Sequence, residues 1–298
     1  MTLYGTRILS DISLPLLPGS EGESLWTLEL RRDPPAELVD AIRCGFPLYR
    51  AHGRRVFFYS DRSFDESVPG QAYCYEISNV LRFYWRGGEG RIYYRFLNEG
   101  TPLLLTFWLA HLVLPLYLTL ERRYHLFHAG AVEIEGRPVL FLAPSTGGKS
   151  TMTDCFLRRG HALISDDKVA TFRENGRITV VPAHPYHRPW RSFEELGQRA
   201  ERFVTRPRPL HALYLLERAA PDAPVTFEEI RGMEKLRVIL PHFLYQFPFL
   251  KREQLAYLAP LLDDLPLIRV TRPWNLERLD EVHDAICTFD AGLGERME

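Results

Sequence analysis

Ala143-Pro-Ser-Thr-Gly-Gly-Lys-Ser150 is the stretch that decides the fold, because it has the composition of a phosphate-binding loop. Small residues let successive backbone N–H groups close around phosphate oxygens at the start of a helix. In such a loop Lys149 reaches the terminal phosphates, and the hydroxyl of Ser150 is placed to ligate Mg²⁺. We therefore predict a site for a nucleoside triphosphate and its metal, which also includes Ser145, Thr146, Gly147, Gly148 and Thr151.

The loop departs from the usual pattern at one position. Ala143 stands where such loops have their first glycine. One methyl group is tolerated if the backbone φ there is negative, so we expect a variant of the loop rather than a different structure. A glycine turn that carries Lys-Ser by chance is the alternative interpretation.

The segments on either side of the loop have the order that the motif requires. Arg137–Leu142 is an apolar run that predicts a buried strand, and Ser150–Arg159 predicts a helix that ends at Gly160. A second apolar strand is expected over His161–Ser165. Strand, loop, helix and strand together predict an α/β fold.

The pair Asp166-Asp167 follows that second strand directly. Ligands of open α/β sheets bind at the carboxyl ends of the strands. Two carboxylates there can divide the work, one holding Mg²⁺ and the other accepting the proton of an incoming hydroxyl. Adjacent side chains on a strand point to opposite faces, so both reach one site only if the strand ends in a turn. A solvated Asp-Asp-Lys turn is the alternative.

These motifs together resemble the catalytic core of HPr kinase/phosphorylase. They are still more similar to its relatives that occur with lasso-peptide and other peptide-modification genes. The similarity is dense over 128–169 and weak elsewhere, and it includes the short interval between Lys149 and the acidic pair. It implies a P-loop kinase core of the HPr kinase/PEP carboxykinase type, preceded by a smaller strand-rich α+β domain. The motifs are His128-Ala-Gly-Ala-Val132, the hairpin 132–140, the loop 143–150, Arg159-Gly160-His161 and Ser165-Asp-Asp-Lys-Val169.

The resemblance also implies roles for single residues. Lys149 matches the phosphate-binding lysine, Ser150 the Mg²⁺ hydroxyl and Asp167 the proton acceptor. His128 matches a histidine that lies against the phosphate and the catalytic acid. Asp166 is expected to share the metal or to orient its neighbour.

Two further segments resemble the family less closely. Val270–Leu276 looks like a reduced form of an Arg-Pro-Gly-Arg-Asn segment, which would let Arg272 face a phosphate. Because one arginine and the glycine are missing, neither the reverse, phosphate-splitting activity nor recognition of HPr is implied. Glu194 or Glu195 is a candidate for the family's conserved glutamate, or else part of an ordinary helix start.

Composition limits the class of protein. A chain of 298 residues with 46% hydrophobic and 25% charged residues is typical of a soluble globular protein of one or two domains. The net charge of −1 gives no basic field for a nucleic-acid partner. We find no Cys-x-x-Cys spacing among the four cysteines and no cluster of cysteines with histidines, so the sequence indicates neither a zinc site nor a disulfide framework. We expect a cytoplasmic protein without a secretion signal.

We expect three regions: a strand-rich domain over 1–100, a buried connecting helix over 101–122, and a P-loop domain over 123–298. The apolar run 103–118 approaches the length of a membrane span, but His111 and Pro115 in its middle favour a helix buried between the domains. The first domain is predicted to be antiparallel, with a helix over Pro34–Arg43. Its expected strands are Thr6–Ser10, Leu25–Leu30, Arg55–Tyr59, Ala72–Ile77, Val80–Trp85 and Arg91–Phe96.

The function predicted from these features is an ATP- and Mg²⁺-dependent kinase. The acceptor would be a hydroxyl group, and the resemblance implies a serine of a peptide or protein. The alternatives are a small-metabolite kinase and a sensor that binds ATP without transferring phosphate. An acceptor site could be shaped by the loop 184–191 and by four cations that follow it, Arg199, Arg202, Arg206 and Arg208. A closed pocket over 184–208 would favour a small metabolite as the acceptor, and an open groove would favour a peptide. The oligomeric state stays open, including a homo-oligomer.

Overall fold

The computed structural model describes residues 1–17, 22–45, 49–64, 68–189, 193–260 and 265–295. The chain divides into two compact units. The first contains Met1–Tyr124, Ser192–Leu196 and Tyr245–Lys251, and the second contains His125–Arg191, Gly197–Leu244 and Arg252–Glu298. Residues 101–122, which the sequence suggests as a separate connecting helix, are therefore part of the first unit.

The strands of the first unit form one sheet of nine strands within the described residues. Its order is β1-β2-β3-β9-β8-β7-β6-β4, and β5 pairs with β6. The elements are β1 Thr2–Leu3, β2 Thr6–Ser10, β3 Trp26–Arg32, α1 Ala36–Ala41, β4 Cys44–Gly45, β5 Tyr49–Ala51, β6 Arg54–Ser60, β7 Ala72–Ile77, β8 Leu81–Arg86, β9 Arg91–Phe96, α2 Pro102–Trp108, a π-helical turn Leu109–Val113, α3 Leu114–Leu120 and a 3₁₀ turn Pro248–Leu250.

All six strands expected in this region are confirmed, and the expected helix exists but is shorter. The prediction of a purely antiparallel sheet is wrong at two pairings, because β3 runs parallel to both β2 and β9. Parallel neighbours need long connections, and the chain supplies them here. Fifteen residues separate β2 from β3, and β9 is more than fifty residues further along.

The apolar helical stretch Pro102–Leu120 is long enough and apolar enough to cross a membrane, but 83% of its 18 most apolar consecutive residues are buried inside the structure. Two of its contacts within the first unit are a hydrogen bond from the Tyr4 hydroxyl to the Ala110 carbonyl oxygen and the packing of Trp85 against Tyr117. Pro115 lacks an N–H group and would clash with a regular helical turn, and the π-helical turn ends two residues before it. The helix therefore has the properties of a core helix.

The second unit contains the predicted loop. Its described strands form a six-stranded sheet in the order β13-β11-β12-β19-β21-β20, a four-stranded sheet β10-β14-β15-β18, and the pair β16-β17. The elements are β10 His125–Phe127, β11 Gly130–Ile134, β12 Arg137–Leu142, α4 Lys149–Arg158, β13 Ala162–Ser165, β14 Val169–Glu174, β15 Arg177–Val181, β16 Tyr186–His187, β17 Gln198–Arg199, β18 Arg208–Pro209, β19 Ala212–Ala219, β20 Thr226–Ile230, α5 Met233–Ile239, a 3₁₀ turn Leu240–His242, α6 Lys251–Leu258, β21 Leu267–Pro273, a 3₁₀ turn Leu276–Arg278 and α7 Leu279–Glu295.

Both faces of the six-stranded sheet are covered, so the mixed α/β class is observed. Val139 and Phe141 of β12 point to one face, where they meet α4 and α7 through residues such as Phe156 and Ile286. The alternate residues of β12 join the core on the other face, which includes the four-stranded sheet, α5 and α6. A strand buried on both faces reads as a continuous apolar run, and β12 does so.

The pairings fix the direction of every strand near the loop. Because β11 is antiparallel to both β12 and β13, these two strands run the same way, and β19 and β21 run parallel to β12. The carboxyl ends of four strands therefore lie at one edge of the sheet. The loop 143–150, the pair Asp166-Asp167 and Trp274 follow three of these ends, and His128 precedes β11 at the same edge.

The close approach of β11 to α4 gives a stability test. A Cβ atom at Gly130 would collide with Oγ1 of Thr153, a fully buried side chain on α4. We expect Gly130→Ala to lower the free energy of unfolding by about 1–3 kcal/mol through overpacking. Urea denaturation measures this. Gly292→Ala in α7 is the control, since outside its own helix backbone and chain neighbours no described atom lies within 4 Å of the Cβ that the exchange would add, and it should be neutral or stabilise by up to about 1 kcal/mol. Equal effects of the two variants would contradict this packing of β11 on α4.

Candidate functional site

A cavity of about 260 Å³ lies at this edge of the second unit. Both halves of the predicted site contribute to it, the glycine loop from one side and the acidic pair from the other. Cations and an indole ring complete the wall. Its lining residues are His128, Thr146, Gly147, Gly148, Lys149, Ser150, Thr151, Asp166, Asp167, Arg188, Pro189 and Trp274.

The two glycines of the loop are required by the backbone. A Cβ atom at Gly147 would lie 2.6 Å from Cβ of Ala143 and 2.8 Å from the Pro144 carbonyl oxygen. Gly148 has φ +90° directly before α4, and a side chain there would meet the guanidinium of Arg272. The loop thus closes tightly on itself and brings the N-terminus of a ten-residue helix to the cavity. That end of a helix carries unpaired N–H groups and a partial positive charge.

Ala143, the departure from the usual loop pattern, is completely buried under this loop. Its carbonyl oxygen accepts a hydrogen bond from the Lys149 ammonium at 2.7 Å, and the Pro144 carbonyl oxygen lies at 3.2 Å. The Lys149 side chain therefore folds back along the loop that precedes it in the chain. Its ammonium group is held at the cavity wall by neutral acceptors.

The acidic pair sits in a tight turn, which is the condition for both side chains to reach one site. Asp167 has φ +69°, and the Lys168 N–H donates to the Asp166 carbonyl oxygen at 2.9 Å. The buried hydroxyl of Ser165 closes the turn by donating to the Lys168 carbonyl oxygen at 2.6 Å. β13 thus ends abruptly, and both carboxylates face the cavity.

Two cations and an imidazole surround the carboxylate of Asp167. The Lys168 ammonium lies 2.5 Å from Oδ2, and His128 Nδ1 lies 3.1 Å from Oδ1. The Arg188 guanidinium is 3.7 Å from Oδ2. Burial alone would raise the pKa of Asp167, but the charge of Lys168 and the hydrogen bond from His128 outweigh it and hold the pKa well below its usual range. Asp167 is therefore ionised at neutral pH.

Asp166 has the opposite environment. It is 7% exposed, and burial raises its pKa to about 6, although the backbone N–H of Arg188 donates to Oδ2 at 2.8 Å. The other oxygen, Oδ1, is buried without a hydrogen-bond partner. A buried carboxylate oxygen with no protein partner is an available ligand for a hard cation such as Mg²⁺. The residues present therefore fit a metal at Asp166, with the Ser150 hydroxyl on the same cavity wall.

The sequence-based prediction assigned no role of their own to several residues at or beside the cavity. Arg188 and Pro189 belong to the predicted loop 184–191 and line the cavity, and Lys168 of the acidic motif neutralises Asp167. Arg218, at the end of β19, donates to the Thr146 carbonyl oxygen and lies over the ring of Trp274 at 3.7 Å from its centroid. No local motif marks Arg218, since only the parallel pairing of β19 with β12 brings it to the loop. The position of Lys168 directly after the acidic pair is the one signal that the sequence offers.

Most of the residues predicted for the site line this cavity, but two do not. Ser145 lies beside it in the loop. Arg272 is 3% exposed and donates to the Gly147 carbonyl oxygen at 3.0 Å, so it braces the loop from behind. It lines an adjoining cavity of about 170 Å³ that shares Thr151 and Trp274 with the first.

The remaining candidates lie elsewhere. Glu194 belongs to the first unit, where its carboxylate binds the Arg54 guanidinium at 2.9 and 3.1 Å and the Trp108 indole N–H at 2.9 Å. It is a structural anchor of that unit, and Glu195 is exposed. In the predicted loop 184–191, His184 is buried and burial lowers its pKa to about 4. Of the four arginines that follow, Arg202 donates to the Gly160 carbonyl oxygen at 2.9 Å and Arg208 lies 3.9 Å from Glu133.

No protein-family model and no curated protein matches the sequence. Among solved structures, the chain is similar to the Hpr(Ser) kinase/phosphatase from Coxiella burnetii, with 15% identity, a TM-score of 0.33, and coverage of 55% of this chain and 98% of that chain.

The unpaired oxygen of Asp166 predicts a pH-dependent cost in stability. The pKa of Asp166 is raised in the folded state, so the folded protein binds this proton more tightly, and stability is lost as the pH rises through about 6. The full difference corresponds to about 3 kcal/mol. With a chelator present, we expect Asp166→Asn to become more stable relative to wild type between pH 4 and pH 7 and then to level off. Urea denaturation at several pH values measures it, and a difference that is constant with pH would contradict the assignment.

Proposed function

We propose that the chain is an ATP-dependent kinase that transfers the γ-phosphoryl group to a hydroxyl group, with a serine of a peptide or protein as the acceptor. One observation carries the proposal: the glycine loop with Lys149 and the turn with Asp166 and Asp167 line the same cavity. A site for anionic phosphates and a site for a metal and a proton acceptor are thereby combined. Phosphoryl transfer needs these parts and little covalent chemistry from the protein.

The loop and the surrounding cations would hold the phosphates. The backbone N–H groups at the start of α4 suit phosphate oxygens, and the Lys149 ammonium can exchange the neutral carbonyl oxygens of Ala143 and Pro144 for charged ones. Arg188 and Arg218 lie at the same cavity and beside the loop. These fixed charges would stabilise the charge that spreads over the transferred group in the transition state.

The two aspartates would divide the remaining work. Ser150 and Asp166 would hold Mg²⁺, which when bound neutralises charge on the β- and γ-phosphates. Asp167 would orient the acceptor hydroxyl and accept its proton, while Lys168 and His128 hold the carboxylate in place. Its depressed pKa keeps it ionised and able to accept at neutral pH. A kinase base of this kind serves mainly to position the hydroxyl.

Support for a peptide acceptor comes from the surface next to the cavity. Arg188 and Pro189 form one wall and directly follow β16, whose antiparallel partner β17 carries the exposed Arg199. Exposed arginines favour carboxylates of an acidic or C-terminal peptide segment. The resemblance of residues 128–169 to peptide-modifying kinases favours the same class of acceptor.

Exchange of Asp167 separates chemistry from nucleotide binding. We expect Asp167→Asn to bind MgATP within a few-fold of wild type but to lose about 10²–10⁴ in turnover, because the acceptor proton then has no base. Lys149→Ala should lower turnover and also weaken nucleotide binding. Mass spectrometry of serine-containing peptides incubated with ATP measures transfer as a gain of about 80 Da, one phosphate group. Near wild-type transfer by Asp167→Asn would refute the assignment of the base, and ATP binding without any product over a broad peptide panel would favour a sensor.

Trp274 offers a direct test of nucleotide binding. It lines both adjoining cavities and is 43% exposed, so a bound nucleotide should change its fluorescence. We expect saturable quenching of tryptophan emission on titration with MgATP, and we expect Trp274→Phe to abolish most of that change while the other four tryptophans remain. Isothermal titration calorimetry of the variant serves as the control for binding itself. Unchanged quenching in Trp274→Phe would place the nucleotide elsewhere.

A further inference from the structure

A second group of chemically reactive side chains lies away from the phosphate cavity. His161, directly before β13, meets His283 and Cys287 of α7. The two imidazole Nε2 atoms are 2.9 Å apart, and the Cys287 Sγ atom lies 3.6 Å from Nε2 of His283 and 3.9 Å from Nε2 of His161. None of the three lines the cavity described above. We refer to them as the His2Cys cluster.

The hydrogen bonds of the other ring nitrogens orient both imidazoles. Nδ1 of His161 faces the carbonyl oxygen of Glu133 at 3.3 Å, and Nδ1 of His283 faces a carboxylate oxygen of Asp284 at 2.8 Å. Both partners are acceptors, so each Nδ1 carries the proton and each neutral ring turns the lone pair of Nε2 inward. Two lone pairs thus point at each other, and a cation between them resolves this arrangement.

A shared proton is the simplest such cation, but the surroundings oppose it. His283 is 6% exposed and His161 is partly buried, so a charge between the rings would be poorly solvated. The ring of Phe156 packs against both imidazoles, with centroid distances of 5.0 and 4.6 Å. This apolar setting suits neutral imidazole, the form that binds metals.

The spacing of the three ligand atoms fits a small tetrahedral metal. For Zn–N bonds near 2.0–2.1 Å and a Zn–S bond near 2.3 Å, tetrahedral geometry places N and N about 3.3 Å apart and N and S about 3.6 Å apart. The observed separations differ from these values by no more than about 0.4 Å. Small rotations of the side chains would be enough to complete the coordination.

The surroundings also match those of a metal site. A metal-binding histidine usually donates its other N–H to a carboxylate or a backbone carbonyl, and each type occurs here once. α7 is fixed close by, because the buried carboxylate of Asp290 accepts from the Tyr214 hydroxyl at 2.7 Å and from Arg137 at 2.9 Å. The ligands are thus held in place by packing and by hydrogen bonds before any metal arrives.

We propose that the His2Cys cluster binds a borderline-soft transition-metal cation of the Zn²⁺ class, with His161, His283 and Cys287 as ligands and a water molecule in the fourth position. Binding converts the Cys287 thiol to a thiolate and releases its proton to solvent. Because the proton and the metal compete for the same sulfur, metal affinity should increase with pH. The site joins α7 to the turn between α4 and β13, a structural role separate from phosphoryl transfer.

Cobalt substitution tests the proposal on the full-length chain. We expect one equivalent of Zn²⁺ per chain by elemental analysis after dialysis, and we expect Co²⁺ to give a thiolate charge-transfer band in the near ultraviolet. Cys287→Ser should lose that band and weaken Zn²⁺ binding by more than about 100-fold, since even the loss of a hydrogen-bond partner of a ligand costs about 10–100-fold. Cys44→Ser, which changes a free thiol of the first unit, should retain the band and the affinity.

A second pair of variants protects the test against misfolding. Asp284→Asn removes the carboxylate that faces Nδ1 of His283. The side chain of Asp284 is exposed, so the exchange should not disturb folding, and it should weaken Zn²⁺ binding about 10–100-fold. Asp280→Asn is the matched control. Asp280 lies on the same helix as Asp284 and also pairs with Arg159, but it has no described contact with the imidazoles. If wild type retained no Zn²⁺ and gave no charge-transfer band, or if Cys287→Ser bound as tightly as wild type, the proposal would be overturned.

Discussion

The pairing of β11 with two neighbours is the constraint on which the candidate site depends. Because β11 is antiparallel to β12 on one side and to β13 on the other, the glycine loop and the acidic turn leave the sheet at the same edge. Neighbouring strands lie about 4.8 Å apart, so the two strand ends are separated by roughly 10 Å. The cavity of about 260 Å³ is lined by residues that follow both of these strand ends. A reversal of either strand would place the acids and the loop at opposite ends of the sheet.

Electrostatics then distinguishes two adjacent residues that the sequence presents as equals. Asp167 is surrounded by Lys168, His128 and Arg188 and is held ionised, whereas Asp166 is buried with one oxygen unpaired and has a raised pKa. Neighbouring carboxyl groups whose environments separate their pKa values commonly have different tasks. The difference favours metal binding at Asp166, since a cation there would offset the cost of its burial, and proton acceptance at Asp167.

The sequence predicts these features where the determining residues are local. The apolar run of β12, the hairpin to β11, the glycines of the loop and the turn after β13 are all encoded within about forty residues, and the structure has each of them. Prediction from the sequence fails for features that depend on pairing between distant segments. Arg218 reaches the loop only through the parallel pairing of β19, and the two parallel pairings of β3 follow no local signal. Of the His2Cys cluster, only His283 and Cys287 are local, four residues apart on one face of α7, whereas His161 is 126 residues from Cys287 and meets it only when α7 packs on α4.

The helix α4 links the two proposed sites through a single rigid element. It begins at Lys149 beside the cavity, and its ten residues extend about 15 Å toward His161 and the His2Cys cluster. Met152 and Phe156 pack between the sheet and α7 along this length, so the helix is fixed by a continuous core. A metal at the far end would restrain the turn into β13, whose other end carries Asp166 and Asp167. Its influence on the phosphate cavity would therefore act through the rigidity of α4 and β13, since no ligand of the cluster reaches the cavity.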